Sequence, residues 1–98
     1  MELIDAAASC RADAIKFQCY TPEAMTLDCD RSEFIIKGGP WKGQRLFDLY
    51  RRTQTPPEWF PKIKERAEKK GIHWFASAFD KAGVDLMVQL GAPAIKIA

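Results

Sequence analysis

Apolar residues recur along this chain in two periods, and the alternation between them predicts its elements. Leu3, Ile4, Ala7 and Ala8 share one side of a helical wheel, so residues 1–12 read as an amphipathic helix. No capping residue precedes it. Strand-like runs follow at about 14–19 (Ala14-Ile15-Lys16-Phe17-Gln18-Cys19), 72–77 (Ile72-His73-Trp74-Phe75-Ala76-Ser77) and 94–98 (Ala94-Ile95-Lys96-Ile97-Ala98). A helix near 44–53 carries Leu46, Phe47 and Tyr50 on one face. Another begins at Thr55-Pro56-Pro57-Glu58, which has the spacing of a capping box, with proline at the first helical position. Its expected apolar face is Trp59, Phe60, Ile63 and Ala67, and Gly71 stops it; Pro61 is awkward there because it deletes a helical hydrogen bond. Asp80 is placed to cap a last helix with Val84, Met87 and Leu90 on its inner side, ending at Gly91.

Strands that alternate with helices imply parallel pairing and right-handed crossovers. The connection after the first strand is unusually long, about two dozen residues from Tyr20 to Gly43. It holds Phe34, Ile35, Ile36, Trp41 and the turn Gly38-Gly39-Pro40, so it is expected to fold over something. A helix without a cap at the start and a strand at the end predict a segment of a larger protein. No internal repeat or low-complexity stretch is apparent.

Composition narrows the function classes. The 98 residues are 47% hydrophobic with a net charge of +2, which argues against nucleic acid or an anionic membrane surface as partner. Cys10, Cys19 and Cys29 form no CxxC pair and read as reduced thiols of a cytoplasmic protein. No run approaches the roughly 18 apolar residues of a membrane span.

The candidate chemistry lies in the strands. Lys16 and Lys96 stand inside apolar runs, where desolvating an ammonium is costly, and a shared phosphate or carboxylate would offset that cost. Gln18 has the parity of Lys16 and faces the same side. Ser77, at the end of its run, can hold a phosphate oxygen together with backbone N–H groups; the competing reading is a helix-start serine beside Asp80. For Lys16 the competing reading is a snorkelling lysine at an open sheet edge. Phe17, Phe75 and Ile95 or their neighbours are expected to line the same interior as the lysines. Lys37, Lys42 and Arg45 fit a solvated face better than a ligand site. His73 is the only histidine, lies far from the expected site, and gives no metal centre.

Four stretches carry a resemblance: Ala12-Asp13-Ala14-Ile15-Lys16-Phe17-Gln18; Phe34-Ile35-Ile36-Lys37-Gly38-Gly39-Pro40-Trp41; Leu46-Phe47-Asp48-Leu49-Tyr50 through Thr55-Pro56-Pro57-Glu58-Trp59; and Ala94-Ile95-Lys96-Ile97-Ala98. The chain resembles the sialic acid synthase family of phosphoenolpyruvate-condensing enzymes over its whole length. The second and third stretches are most like the pseudaminic acid synthase branch. Ala78 departs from the family's usual proline after Ser77, and Cys19 from its usual threonine after Gln18.

The resemblance implies a TIM (β/α)8 barrel, of which residues 1–98 are a partial N-terminal synthase domain covering about strands two to four. On the same resemblance, the family's C-terminal antifreeze-like domain is expected to be absent from these residues. It implies condensation of phosphoenolpyruvate with a 2,4-diacetamido-2,4,6-trideoxyhexose to give a nine-carbon nonulosonic acid and phosphate. Lys16, Gln18, Ser77 and Lys96 would bind phosphoenolpyruvate, and Tyr20, Trp41 and Phe79 the amino sugar. No catalytic residue is assigned. A divalent metal, Mn or Mg, would be held by ligands outside the segment, and the parent would be a homodimer. The alternatives are an N-acetylneuraminate or legionaminate synthase of the same family, or a non-catalytic sugar-phosphate-binding piece. A Schiff base on Lys16 is a further chemical option. The segment alone is expected to be inactive.

Overall fold

The computed structural model describes residues 1–98, which divide into two compact units, Met1–Cys19 with Thr55–Ala98, and Tyr20–Gln54. The first is a three-stranded parallel sheet carrying helices. Its strands are β1 (Ala14–Cys19), β2 (His73–Ala78) and β3 (Ile95–Ile97), ordered β1-β2-β3. The helices are α1 (Glu2–Ser9), α4 (Phe60–Lys70) and α5 (Lys81–Gln89). The second unit holds α2 (Pro22–Met25) and α3 (Leu46–Thr53).

Register fixes the two faces of the sheet. Ile15 pairs with Trp74, and Phe17 with Ala76, which pairs in turn with Ile95. These residues join Cys19 on the face that packs against Ile4, Phe60, Ile63, Ala67 and Met87. Phe60, Ala67, Ala76 and Met87 are wholly buried there, and Phe60 lies against Trp74 with ring centroids 6.4 Å apart. Phe17 and Ile95 therefore line the helix side, opposite the lysines. Only Phe75 of the three aromatic or aliphatic residues expected beside the lysines has their parity. The reason is the period of two: Phe17 and Ile95 each adjoin a lysine in sequence and so must point the other way.

Thr55, Trp59, Leu3 and Val84 depart from the sequence pattern, the first two through local geometry at Pro61. Thr55 caps nothing. Residues Pro57–Trp59 form a 3₁₀ turn without a side-chain cap, and the α-helix starts at Phe60. Pro61 has no N–H and is tolerated only in a first turn, so it sets that start and tightens the residues before it. The offset turns Trp59 outward, 55% exposed, while Phe60, Ile63 and Ala67 keep the core face. At the periphery, Leu3 is 74% exposed although Ile4 is buried. Val84 is likewise exposed, leaving Met87, with Leu86 and Leu90, to face the sheet.

The same turn enters all three strands. Arg11 and Gly91 both adopt the left-handed conformation, with φ 59° and 67°. Ala12 N donates to Ala7 O, and Ala92 N to Met87 O, each at 3.0 Å. This paired closure of the last helical carbonyls is the Schellman pattern. The same closure precedes β2, where Gly71 has φ 71° and Ile72 N donates to Ala67 O at 3.1 Å. Arg11-Ala12-Asp13-Ala14-Ile15-Lys16 and Gly91-Ala92-Pro93-Ala94-Ile95-Lys96 share in addition the five-residue step from the left-handed residue to a lysine, a likeness masked in the sequence by arginine standing where glycine is usual. At the other end of α5, Asp80 acts as expected, its Oδ1 accepting from Gly83 N at 2.7 Å.

α1 is fastened to α4 by charge. Arg66 donates to both Asp5 oxygens, at 2.8 and 2.6 Å, and Lys70 lies 3.4 Å away. The Arg66 hydrogen bond holds the Asp5 carboxyl below the usual carboxylate range, against an opposing desolvation effect.

The Tyr20–Gln54 unit is more ordered than its composition suggests. Thr21 caps α2, Ser32–Phe34 forms a 3₁₀ turn, and Ile35 bridges antiparallel to Arg45 at the start of α3. Phe47 is its buried anchor on α3.

Candidate functional site

The face of the sheet opposite the apolar core carries Lys16 and Gln18 on β1, Phe75 and Ser77 on β2, and Lys96 on β3. Gln18, Ser77 and Lys96 form one row, since Ser77 is the register partner of both others. Lys16 pairs with Phe75, two residues nearer the strand starts. The row lies one residue before the last position of each strand. That is the C-terminal edge, where parallel α/β folds place ligands.

Size and polarity are graded along the row. Ser77 is only 2% exposed, whereas Gln18, Lys16 and Lys96 are exposed. A small hydroxyl at the centre with a long amide and a long ammonium beside it makes a shallow polar floor. Neither lysine enters an ion pair within the chain. Lys96 Nζ reaches only the Ile97 carbonyl, at 3.3 Å. With strands about 4.8 Å apart and residues about 3.3 Å along each, the two lysine Cα atoms are roughly 12 Å apart. Extended lysine side chains can meet a common anion over that span.

Cys19 and Asp80 complete the edge. Burial, and secondarily the Asp80 charge, push the Cys19 thiol up, so it is a poor nucleophile. Gly83 allows the first turn of α5 to approach β1: a Cβ there would lie 3.3 Å from Cys19 O and 3.2 Å from Asp80 Oδ1. Phe79, just after β2, is half-buried.

Tyr20 and Trp41 belong to the other unit. Tyr20 is 6% exposed and packs edge-on against Tyr50, with centroids 5.8 Å apart. Its hydroxyl lies 2.9 Å from Thr53 Oγ1, and Thr53 donates onward to Leu49 O at 2.9 Å. Trp41 is 52% exposed, at the tip of the hairpin that precedes α3. Lys37 and Lys42 on that hairpin are solvated; Arg45, grouped with them in the sequence, instead pairs with Asp28 and Asp48. Its spacing of three from Asp48 was the signal. Nowhere do three or more His, Cys, Asp or Glu side chains converge to hold a metal ion, so these residues do not themselves form a metal centre.

The chain is similar to known proteins over nearly its whole length. The chain is 44% identical over all 98 residues to a pseudaminic acid synthase of Campylobacter jejuni. It is 39% identical over 87 residues to a pseudaminic acid synthase of Helicobacter pylori. Among solved structures it matches an N-acetylneuraminic acid (sialic acid) synthetase from Leptospira borgpetersenii, in complex with citrate. That match has a TM-score of 0.77 and 29% identity over 98% of this chain. The chain spans 29% of the length of the Campylobacter relative and of the Leptospira structure, and 26% of the Helicobacter one. The NeuB family model matches residues 3–98, and the chain belongs to the NeuB family.

Proposed function

We propose that this chain is the phosphoenolpyruvate-holding part of a pseudaminic acid synthase. The observation that carries the proposal is the row Gln18, Ser77 and Lys96 with Lys16 behind it, on the face of a parallel sheet opposite its apolar core. The greater identity to pseudaminic acid synthases than to the sialic acid synthetase, 44% against 29%, favours that branch.

The fold reading is that β1 to β3 are consecutive strands, about the second to fourth, of a (β/α)8 barrel. Strands that neighbour in sequence also neighbour in space, and the apolar core lies on one face only. A doubly wound sheet would reverse its order and bury both faces. The lysine face is then the barrel interior.

In this reading Lys16 and Lys96 hold the phosphate and carboxylate of phosphoenolpyruvate, Gln18 donates from its amide, and Ser77 donates its hydroxyl. Carbon three of phosphoenolpyruvate bonds to the aldehyde carbon of the open-chain 2,4-diacetamido-2,4,6-trideoxyhexose, whose oxygen takes up a proton. Water supplies the oxygen at carbon two, and the C–O bond to phosphate breaks. The side chains are preorganised cations and donors that fix the anionic substrate and steady its charge as phosphate leaves. Trp41 is assigned to the sugar by its exposure at a hairpin tip.

The test is steady-state kinetics of the whole enzyme. Replacing Trp41 by alanine raises the KM for the sugar more than that for phosphoenolpyruvate. Equal changes in both remove Trp41 from the sugar site. Absence of phosphate release from phosphoenolpyruvate with any diacetamido sugar overturns the function itself.

A further inference from the structure

Arg45 joins three stretches of the Tyr20–Gln54 unit that are distant in sequence. Its backbone closes the neck of the Trp41 hairpin, bridging antiparallel to Ile35. Beside it, Ile36 N donates to Gln44 O at 2.9 Å and Gly43 N to Ile36 O at 2.8 Å. Arg45 is also the residue before α3. From that position its guanidinium reaches two ways. Nη1 donates to Asp48 Oδ2 in the first turn of α3 at 3.2 Å, and Nη2 donates to Asp28, seventeen residues back. Asp48 is itself held by Arg51 at 2.8 Å. The Arg45 Nε is covered and has no partner within the chain.

An isolated surface ion pair contributes little, but this is a connected network whose central cation is only 32% exposed. A planar guanidinium suits it, because separate nitrogens serve separate carboxylates. With both arms committed to aspartates, Arg45 is not free to bind an anion.

We propose that Arg45 is a positioning residue. It locks the neck of the hairpin that presents Trp41, and so sets the affinity for the sugar without touching it. The second half rests on the sugar assignment of Trp41 above.

The experiment joins amide hydrogen exchange with kinetics, both on the whole enzyme. In Arg45→Met the Ile36 and Gly43 amides exchange about tenfold faster, as expected for loss of charge-assisted hydrogen bonds, while the amides of β2 are unchanged. Asp28→Asn does the same to a smaller degree. The double variant is no faster than Arg45→Met alone, since both remove one interaction. Arg45→Lys restores part of the protection. The sugar KM follows the exchange rates, and the phosphoenolpyruvate KM stays put. Unchanged exchange in Arg45→Met, or additive effects of the two substitutions, overturns the clamp. Faster exchange with an unchanged sugar KM overturns the link to the sugar. A wild-type enzyme without sugar-dependent turnover overturns the function, and the exchange data still decide the clamp.

Discussion

Lys16 and Lys96 are delivered by the same local device and arrive at different depths. Each follows a left-handed residue by five positions, Arg11 in one case and Gly91 in the other, and each sits one residue after an isoleucine packed on the core. Yet Lys96 pairs beside Ser77, whereas Lys16 pairs beside Phe75, one two-residue step lower. The period of two sets which face a lysine takes, and the stagger between strands sets how far along that face it sits. Two identical turns without stagger would put both ammonium groups in one row. With stagger, they bracket a diagonal, which suits an anion charged at both ends.

The largest effect separates function from folding. Replacing Lys96 or Lys16 by methionine in the whole enzyme lowers kcat/KM for phosphoenolpyruvate by roughly 30- to 1,000-fold, about 2–4 kcal/mol. Lysines that serve the substrate and not the sheet leave the unfolding free energy within about 0.5 kcal/mol of wild type. A fall in stability matching the fall in activity would mean that the lysines hold the sheet rather than the substrate.

The next two effects test the turns. Gly91→Ala forces a side chain into a left-handed residue with φ 67° and lowers stability by about 1–2 kcal/mol in denaturant unfolding. Arg11→Gly runs the other way: it relieves the same conformation at φ 59° and raises stability by about 0.5–1 kcal/mol. Equal signs at the two sites would show that the turns are not equivalent. The smallest effect belongs to the tether of α1, the helix that leads into the first turn. Arg66 depresses the folded Asp5 pKa below its ordinary 3.8. Its contribution is therefore present above that value and lost as pH falls through the depressed pKa. Asp5→Asn removes this dependence, so wild type and variant converge in acid melts and differ at neutral pH.

Much of this was legible in the sequence because it rests on local periodicity. The strand at 14–19 is where alternation puts it, and the shared side of Lys16 and Gln18 follows from parity alone. The row with Ser77 and Lys96 was not legible, because register depends on how strands pair. The capping box at Thr55 misled because Pro61, six residues on, overrides it. Trp59 was placed inside by a wheel that began too early. Arg45 looked like one of three loop cations until the fold brought Asp28 to it. The repeated turn was hidden by a single residue, Arg11, in a conformation that sequence patterns reserve for glycine.

If the lysine face of the sheet holds phosphoenolpyruvate, its two anionic groups meet two staggered lysines. Calorimetric titration of phosphoenolpyruvate into the whole enzyme, wild type against Lys16→Met, Lys96→Met and the double variant, tests it directly. The account predicts that each single variant weakens binding by at least about tenfold, and that the double variant abolishes measurable heat with the thermal midpoint unchanged. Phosphoenolpyruvate binding of wild-type strength in the double variant would contradict it.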